Sequence, residues 1–199
     1  MNLEEYKVVF AVATAVLILV SVSPAMSVYV SRPNSSNRFS QLWVLGPTHT
    51  MDEYPLLVTP NNTEYHIFLG IGNHMHSSSY YLVNVKFRNE TQSSPSSLNS
   101  TPSALPTLYQ YRVFVGNENV WDANFTFSIV NASSAANSIT VRSLSINGED
   151  FPVNAVSTWD SQNGGFYYQI FFELWLFNPN TKSFQYENQS VWVWLKITD

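Results

Sequence analysis

Residues 80–88 read Tyr-Tyr-Leu-Val-Asn-Val-Lys-Phe-Arg, and apolar side chains occupy every second position from Tyr81 to Phe87. A repeat of two residues places alternate side chains on opposite faces of an extended chain, so this pattern predicts a β-strand. The other face carries mainly polar side chains, among them Asn84 and Lys86. We therefore expect a half-buried strand of an antiparallel sheet.

The same alternation recurs along the chain after residue 38. It is present in four further segments, at 65–71, 109–115, 121–129 and 191–197. The run from Phe166 to Phe177 differs, because it is apolar on both faces except at Gln169 and Glu173. A run of this kind is typical of a central strand that is covered on both sides.

Turn-forming residues separate these segments. Asn147-Gly148 is the strongest hairpin turn, since both residues tolerate the positive φ angles of a type I′ turn. Between Val141 and Leu144 the apolar phase slips by one residue, which predicts a β-bulge. The Ser- and Pro-rich segment from Ser93 to Pro106 has no periodicity and predicts a long surface loop.

Seven to ten short strands and no helical period after residue 30 predict an all-β fold. The expected architecture is an immunoglobulin-like antiparallel β-sandwich, preceded by a single N-terminal transmembrane helix. We expect a membrane anchor in residues 1–30, a linker at 31–38 and one extracytoplasmic domain at 39–199.

The predicted anchor is an uncharged, strongly apolar stretch of 23 residues, from Val8 to Val30. At ~1.5 Å per residue, a helix of this length reaches roughly 34 Å and crosses a ~30 Å hydrocarbon core. The alternative is a cleaved signal peptide, because Val8 to Val22 has the length of a signal-peptide core and small residues follow it. Charge leaves the orientation open, since Arg32 and Arg38 would favour keeping the C-terminal side inside.

Composition restricts both the location and the function of the chain. The 199 residues carry a net charge of −5 and only 12% charged side chains, with no basic cluster, so we do not expect nucleic-acid binding. The absence of cysteine excludes disulfides, thiolate nucleophiles and cysteine-based metal sites. Seven Asn-x-Ser/Thr sites favour an exported, glycosylated domain: Asn34, Asn61, Asn89, Asn99, Asn124, Asn131 and Asn188.

Residues 39–47, Phe-Ser-Gln-Leu-Trp-Val-Leu-Gly-Pro, resemble the opening motif of an archaeal family, the domain of unknown function sixteen-sixteen. Further segments resemble the family in the same order, at 65–74, 80–89, 145–148 and 171–175. The resemblance covers most of the chain after the anchor. It implies an archaeal cell-envelope membrane protein and supplies no catalytic residues. Family members often carry several helices before the sandwich, whereas this chain has one apolar stretch.

Metal binding and catalysis have few candidate residues. His74 and His76 are the densest pair of metal-capable side chains and would suit copper or zinc, but a solvated loop tip is the explanation that we favour. Glu173 is a lone acid within an aromatic strand; it is either a candidate general acid, an exposed side chain, or the partner of a basic residue on the adjacent strand. No catalytic motif is present, and we expect neither a cofactor nor an enzyme.

Trp192 and Trp194 lie opposite the core-facing residues of the final predicted strand. Three covers are open for this face: the loop from Ser93 to Pro106, a partner protein or second copy, or a glycan stacked on the rings. We therefore expect a membrane-anchored binding or assembly component of the cell envelope. A carbohydrate-binding module is the alternative, and an enzyme or a copper- or zinc-binding domain comes third.

Overall fold

The computed structural model describes residues 38–198, which form nine strands and no α-helix. The strands are β1 (Phe39–Leu45), β2 (Tyr65–His74), β3 (Ser79–Asn89), β4 (Tyr109–Val115), β5 (Val120–Ala135), β6 (Ser138–Ile146), β7 (Glu149–Thr158), β8 (Phe166–Asn178) and β9 (Ser183–Ile197). The all-β prediction is confirmed.

Within residues 38–198, no helix has the length and apolar character needed to span a bilayer. The predicted anchor from Val8 to Val30 lies outside the described residues, as does the linker as far as Asn37.

The strands form two antiparallel sheets. The first has the order β1-β2-β5-β6-β7 and the second has the order β4-β3-β8-β9. Immunoglobulin-like sandwiches use the same order for strands A, B and E in one sheet and C′, C, F and G in the other. The β6–β7 hairpin extends the first sheet beyond β5.

The core lies between the two sheets and is built from the alternating positions of the sequence. Ile67, Leu69 and Ile71 of β2 are fully buried. They belong to the same buried cluster as Val83 and Val85 of β3, a strand of the other sheet. Because each strand presents every second side chain to this layer, the period of two residues fixes the core face. The predicted inward faces of β2, β3 and β5 are confirmed.

β1 is held on the first sheet by an indole that lies on two glycines. Trp43 pairs with Gly70 in the β1–β2 register, and a Cβ added at Gly70 would lie 2.3 Å from the Trp43 ring. At Gly72 the same ring would lie 3.2 Å from an added Cβ. The Gly-x-Gly spacing of β2 therefore makes a flat surface for Trp43.

The predicted hairpin turn and bulge are both present. Asn147 and Gly148 join β6 to β7 with φ angles of 49° and 82°, as a type I′ turn requires. The Asn147 amide also donates to the Tyr111 hydroxyl at 2.7 Å, and burial raises the pKa of Tyr111 to about 12. The bulge appears as a register shift between Val141 and Ser143 in the pairing of β6 with β7.

One expectation about β3 is wrong. Residues Tyr81 to Phe87 are buried on both faces, whereas the alternation predicted one exposed face. The cause is the segment between β3 and β4, which contains the predicted loop and folds back over the outer face of the second sheet. Ser103 of this loop is itself buried. The predicted double burial of β8, by contrast, is confirmed.

Candidate binding surface

The outer face of the second sheet carries the residues that the sequence singled out. β8 and β9 pair so that Phe171 lies opposite Trp192 and Gln169 lies opposite Trp194. β3 pairs with β8 on the other side and places Lys86 opposite Phe171. These side chains all point away from the core, since they alternate with buried inward positions.

The loop from Ser93 to Pro106 covers the middle of this face, where it contacts a buried ion pair. Lys86 Nζ lies 2.9 Å from Glu173 Oε2, and the two side chains are 5% and 0% exposed. Lys86 also donates to the Ser103 carbonyl at 2.6 Å, while the Ser103 amide donates to Glu173 Oε1 at 2.6 Å. Among the described residues, Lys86 is the one polar contact of Oε2. Glu173 therefore holds the loop on the sheet.

The loop leaves Trp192 more than half exposed, whereas Trp194 is partly covered by its neighbours. Trp192 is 55% exposed, although Pro95 of the loop lines two grooves beside it. Trp194 is half-buried, with the Arg88 guanidinium 5.5 Å above its ring. Arg88 is fixed in turn by donating to Gln169 Oε1 at 2.6 Å. We call the surface around Trp192 and Trp194 the tryptophan face.

Three grooves meet at Trp192. One, of about 200 Å³, lies between Pro95 and the two indoles. A second, of about 360 Å³, lies between Trp192 and the residues Leu42, Met51 and Tyr54 on and after β1. A third, of about 400 Å³, runs along Tyr186 and Asn188. Shallow apolar grooves around an exposed aromatic ring are a common setting for ligand or partner binding.

The backbone of β9 is open at the same place. Lys196 donates its amide to the Leu56 carbonyl at 2.6 Å and accepts from the Val58 amide at 3.0 Å, so its polar groups point away from β8. Trp194 and Trp192 precede it by two and four residues without a register shift, and their groups point the same way. Within residues 38–198 no backbone bond reaches them from outside the sheet. β9 is thus an edge strand whose backbone groups at both tryptophans pair with no further strand among residues 38–198.

A fourth groove lies on the other side of Trp194. It measures about 400 Å³ and is lined by Trp194, Tyr167, Glu90, Asp160 and Asn163, together with Leu56. The side-chain amide of Asn163 donates to Asp160 at 2.7 Å, and this hydrogen bond, with those from the backbone amides of residues 162 and 163, lowers the pKa of Asp160. The groove combines aromatic planes with hydrogen-bonding groups.

The metal candidates are not brought together. His74 hydrogen-bonds Glu118, and His76 is an exposed loop residue with a φ of 59°. His49 instead lies against Asp122, with its ring stacked on Phe68. Within residues 38–198 there is no group of three or more His, Asp or Glu side chains that could hold a metal ion.

Of the predicted glycosylation sites, Asn34 lies outside the described residues. Five of the other sites are exposed: Asn61, Asn99, Asn124, Asn131 and Asn188. Asn89 is different, because its amide donates to the Val156 carbonyl and its oxygen accepts from the Thr91 and Gln92 amides. A side chain engaged at both ends is a poor acceptor for a glycan.

Sequence reasoning found the two indoles but missed the surroundings that make them a site. Tyr167 and the segment from Leu56 to Val58 reach the tryptophan face from distant parts of the chain. No local pattern marks the segment 56–58, because its pairing with β9 is a single parallel bridge.

Comparison with known proteins identifies a family. The model of the Domain of unknown function (DUF1616) matches residues 33–141, more than half of the chain. No curated protein matches the sequence.

Several solved structures align with this chain at low similarity. A β-glucosidase from Listeria innocua in complex with glucose matches with a TM-score of 0.42 and 8% identity, over 82% of this chain and 16% of that chain. One chain of the complex of Zinc 2-glycoprotein with Prolactin inducible protein from human seminal plasma matches at 0.37 and 9%, over 83% and 98%. A PapD-like domain of human CEP192 matches at 0.33 and 7%, over 85% and 89%. The chain spans about a sixth of the glucosidase.

Proposed function

We propose that this chain, which belongs to the DUF1616 family, is a membrane-anchored, extracytoplasmic β-sandwich. It acts in the cell envelope by binding a partner. Its partner is an envelope protein or a second copy, and the contact is made by the tryptophan face. The anchor is Val8 to Val30, and the exposed glycosylation sites support an exported domain.

The observation that carries this proposal is the coincidence of an exposed indole and an open strand edge. Trp192 supplies a large apolar surface. The segment 56–58 pairs with β9 only at Lys196, so among residues 38–198 the outward-pointing backbone groups of Trp192 pair with no strand. An edge strand with unpaired backbone groups accepts a further strand, and apolar side chains beside it add specificity. Monomeric proteins usually protect such an edge, so its exposure favours assembly.

A role in binding rather than catalysis also agrees with the fate of the strongest acid candidate. Glu173 is fully buried, is paired with Lys86 and is bonded to the loop. A general acid or base must reach its substrate within about 3 Å, and this carboxylate faces protein on all the contacts described. The proposal therefore assigns no catalytic residue and no cofactor.

Replacement of Trp192 by lysine tests the proposal in the full chain. The charge and the lost ring should abolish the oligomeric or hetero-complex species obtained by chemical cross-linking in native membranes, because lysine on an edge strand opposes strand addition. The melting temperature should stay unchanged, since Trp192 is more than half exposed. Val156→Lys is the matched control, as Val156 is also an exposed apolar residue on an edge strand, β7.

An unchanged cross-linking pattern in the Trp192→Lys variant would contradict the assembly role. The carbohydrate-binding alternative is favoured by the fourth groove, in which Trp194 and Tyr167 lie beside Glu90 and Asn163. Aromatic planes flanked by hydrogen-bonding groups suit a sugar ring. In that case the Tyr167→Ala variant would lose retention on immobilised envelope glycans while the cross-linked species persist.

A further inference from the structure

The end of the sandwich at which the chain enters β1 has an unusual surface. We call it the proximal end. Phe39, the first residue of β1, lies opposite His74 in β2 and is 45% exposed. The next residue, Ser40, contacts the hydroxyl of Tyr81 at 2.9 Å, which fixes the start of β3 at the same end.

A buried asparagine holds this end together. Asn73 is fully buried, and its amide donates to the carbonyls of Ser77, Val115 and Gly116 at 2.8 to 3.0 Å. Its oxygen accepts from the Tyr81 hydroxyl at 3.1 Å. The loops β2–β3 and β4–β5 are therefore fixed to each other, and the proximal end is a rigid surface.

Four aromatic rings cluster at the proximal end of the outer face. The ring of Tyr80 stacks on that of Phe114, with 4.2 Å between the ring centroids, and its centroid lies 5.2 Å from that of Phe184. The Phe184 and Phe177 centroids are 5.4 Å apart. Phe114 is 76% exposed. This aromatic patch belongs to no groove of the tryptophan face. An exposed apolar cluster of this kind marks an interaction surface.

One basic side chain lies on the aromatic patch, and two more lie at the same end of the sandwich. The Arg112 guanidinium lies 5.8 Å above the Phe184 ring, Lys182 is exposed in the β8–β9 loop, and Arg38 immediately precedes β1. Glu118 is the acidic residue of the β4–β5 loop, and His74 pairs with it. Glu187 of β9 also lies near Tyr81, so the proximal end carries three basic side chains against two acidic ones, although the whole chain has a net charge of −5.

The length of the linker limits which partner this surface can meet. Eight residues, 31–38, separate the predicted anchor from β1. Fully extended, they span at most about 30 Å. We infer that the proximal end docks on the membrane surface, with the aromatic patch at the headgroup level and Arg112 and Lys182 on anionic lipid. This inference rests on the proposed membrane anchor.

The chemistry of the patch fits a lipid surface. Tyrosine side chains concentrate at membrane–water interfaces, and apolar surfaces that carry phenylalanine beside basic residues bind in the headgroup region. Exposed basic residues are attracted to anionic headgroups. A docked proximal end also gives the tryptophan face a fixed orientation. Phe166 and Asn178 are the two ends of β8, and at ~3.3 Å per residue they lie roughly 40 Å apart. The loop 160–165 is therefore far from the docked end.

The absence of cysteine allows a direct test in the full chain. Asn180→Cys places a bimane probe in the β8–β9 loop, and Ser161→Cys places one at the other end of β8. Each variant is reconstituted in vesicles of phosphatidylcholine containing a quarter phosphatidylglycerol and nitroxide-labelled lipid. We expect several-fold stronger quenching at position 180 than at 161. Replacing Phe114 and Arg112 by serine should reduce the quenching at 180 to the level at 161.

The matched control replaces Val156 of β7 and Arg142 of β6 by serine. These are an exposed apolar and an exposed basic residue, and their loss should leave the quenching at position 180 unchanged. Equal quenching at 180 and 161, or quenching at 180 that survives the loss of Phe114 and Arg112, would overturn the inference alone. Carbonate extraction separates this from a failure of the anchor. Protein released from the vesicles by carbonate would overturn the proposed anchor, and the docking inference with it.

Discussion

A single lysine determines whether a buried carboxylate can be tolerated in this sandwich. Lys86 and Glu173 leave water together, and the backbone of Ser103 satisfies one oxygen and the ammonium group. Removing two charges from water costs several kcal/mol per ion, which mutual attraction offsets only when the remaining polar groups are bonded. The pair is therefore a device for fixing the loop, and each member depends on the other.

Replacement of Lys86 by methionine should destabilise the domain by about 3–5 kcal/mol, since the Glu173 charge would stay buried without a partner. The double replacement Lys86→Met with Glu173→Leu should recover most of this loss, because no charge is then buried. Urea unfolding followed by tryptophan fluorescence measures both variants. Lys182→Met, at an exposed lysine, serves as the control. A double variant as unstable as the single one would show that the loop needs the charges themselves.

At the scale of the strands, the attachment of β1 depends on the absence of side chains in β2. Gly70 gives the Trp43 ring its place, and every ladder bond of β1 is made with β2 alone. Edge strands have one neighbour, so loss of a side-chain contact is not compensated on the other side. Trp43 of β1 and the Gly-x-Gly pattern of β2 thus act as one packing unit.

The variant Gly70→Ala should lower stability by about 1–3 kcal/mol, because a methyl group 2.3 Å from the indole must displace it. Gly72→Ala should cost less, since the nearest atom to the added carbon is the flexible end of Gln41 at 3.0 Å. Differential scanning calorimetry of the two variants gives the comparison. Equal melting temperatures for Gly70→Ala and the parent protein would show that Trp43 does not hold β1.

For the whole molecule, the two sheets enclose a continuous core among residues 38–198. The buried cluster draws on strands of both sheets, from Val44 in β1 to Ile197 in β9. A core of this extent, closed within the domain, favours independent folding.

Residues 38–199 expressed alone should therefore fold as an all-β domain. Far-ultraviolet circular dichroism should show less than about a fifth helix, because no segment after the predicted anchor has a 3.6-residue period. Near-ultraviolet dichroism from the packed tryptophans should accompany it and should vanish in denaturant. A helical or unfolded spectrum would show that residues 38–199 do not fold on their own as an all-β domain.

Six of the nine strands, β2, β3, β4, β5, β8 and β9, were predictable from local sequence, as were the inward faces of β2, β3 and β5, the Asn147-Gly148 turn and the bulge near Val141. Each of these follows from the residue itself or its immediate neighbours, since a period of two residues and a positive φ angle are local properties. Trp192 and Trp194 were also predictable as a second apolar face, for the same reason.

What covers that face depends on contacts between segments that are far apart in the chain. The loop folded over Lys86 and Glu173 rather than over Trp192, and the segment 56–58 paired with β9 beside Lys196. Glu173 and Ser103 are 70 residues apart in the chain, and Leu56 and Lys196 are farther still. These contacts are stable because two opposite charges are buried together and because unpaired backbone groups of an edge strand find partners. No periodicity in the sequence encodes either effect.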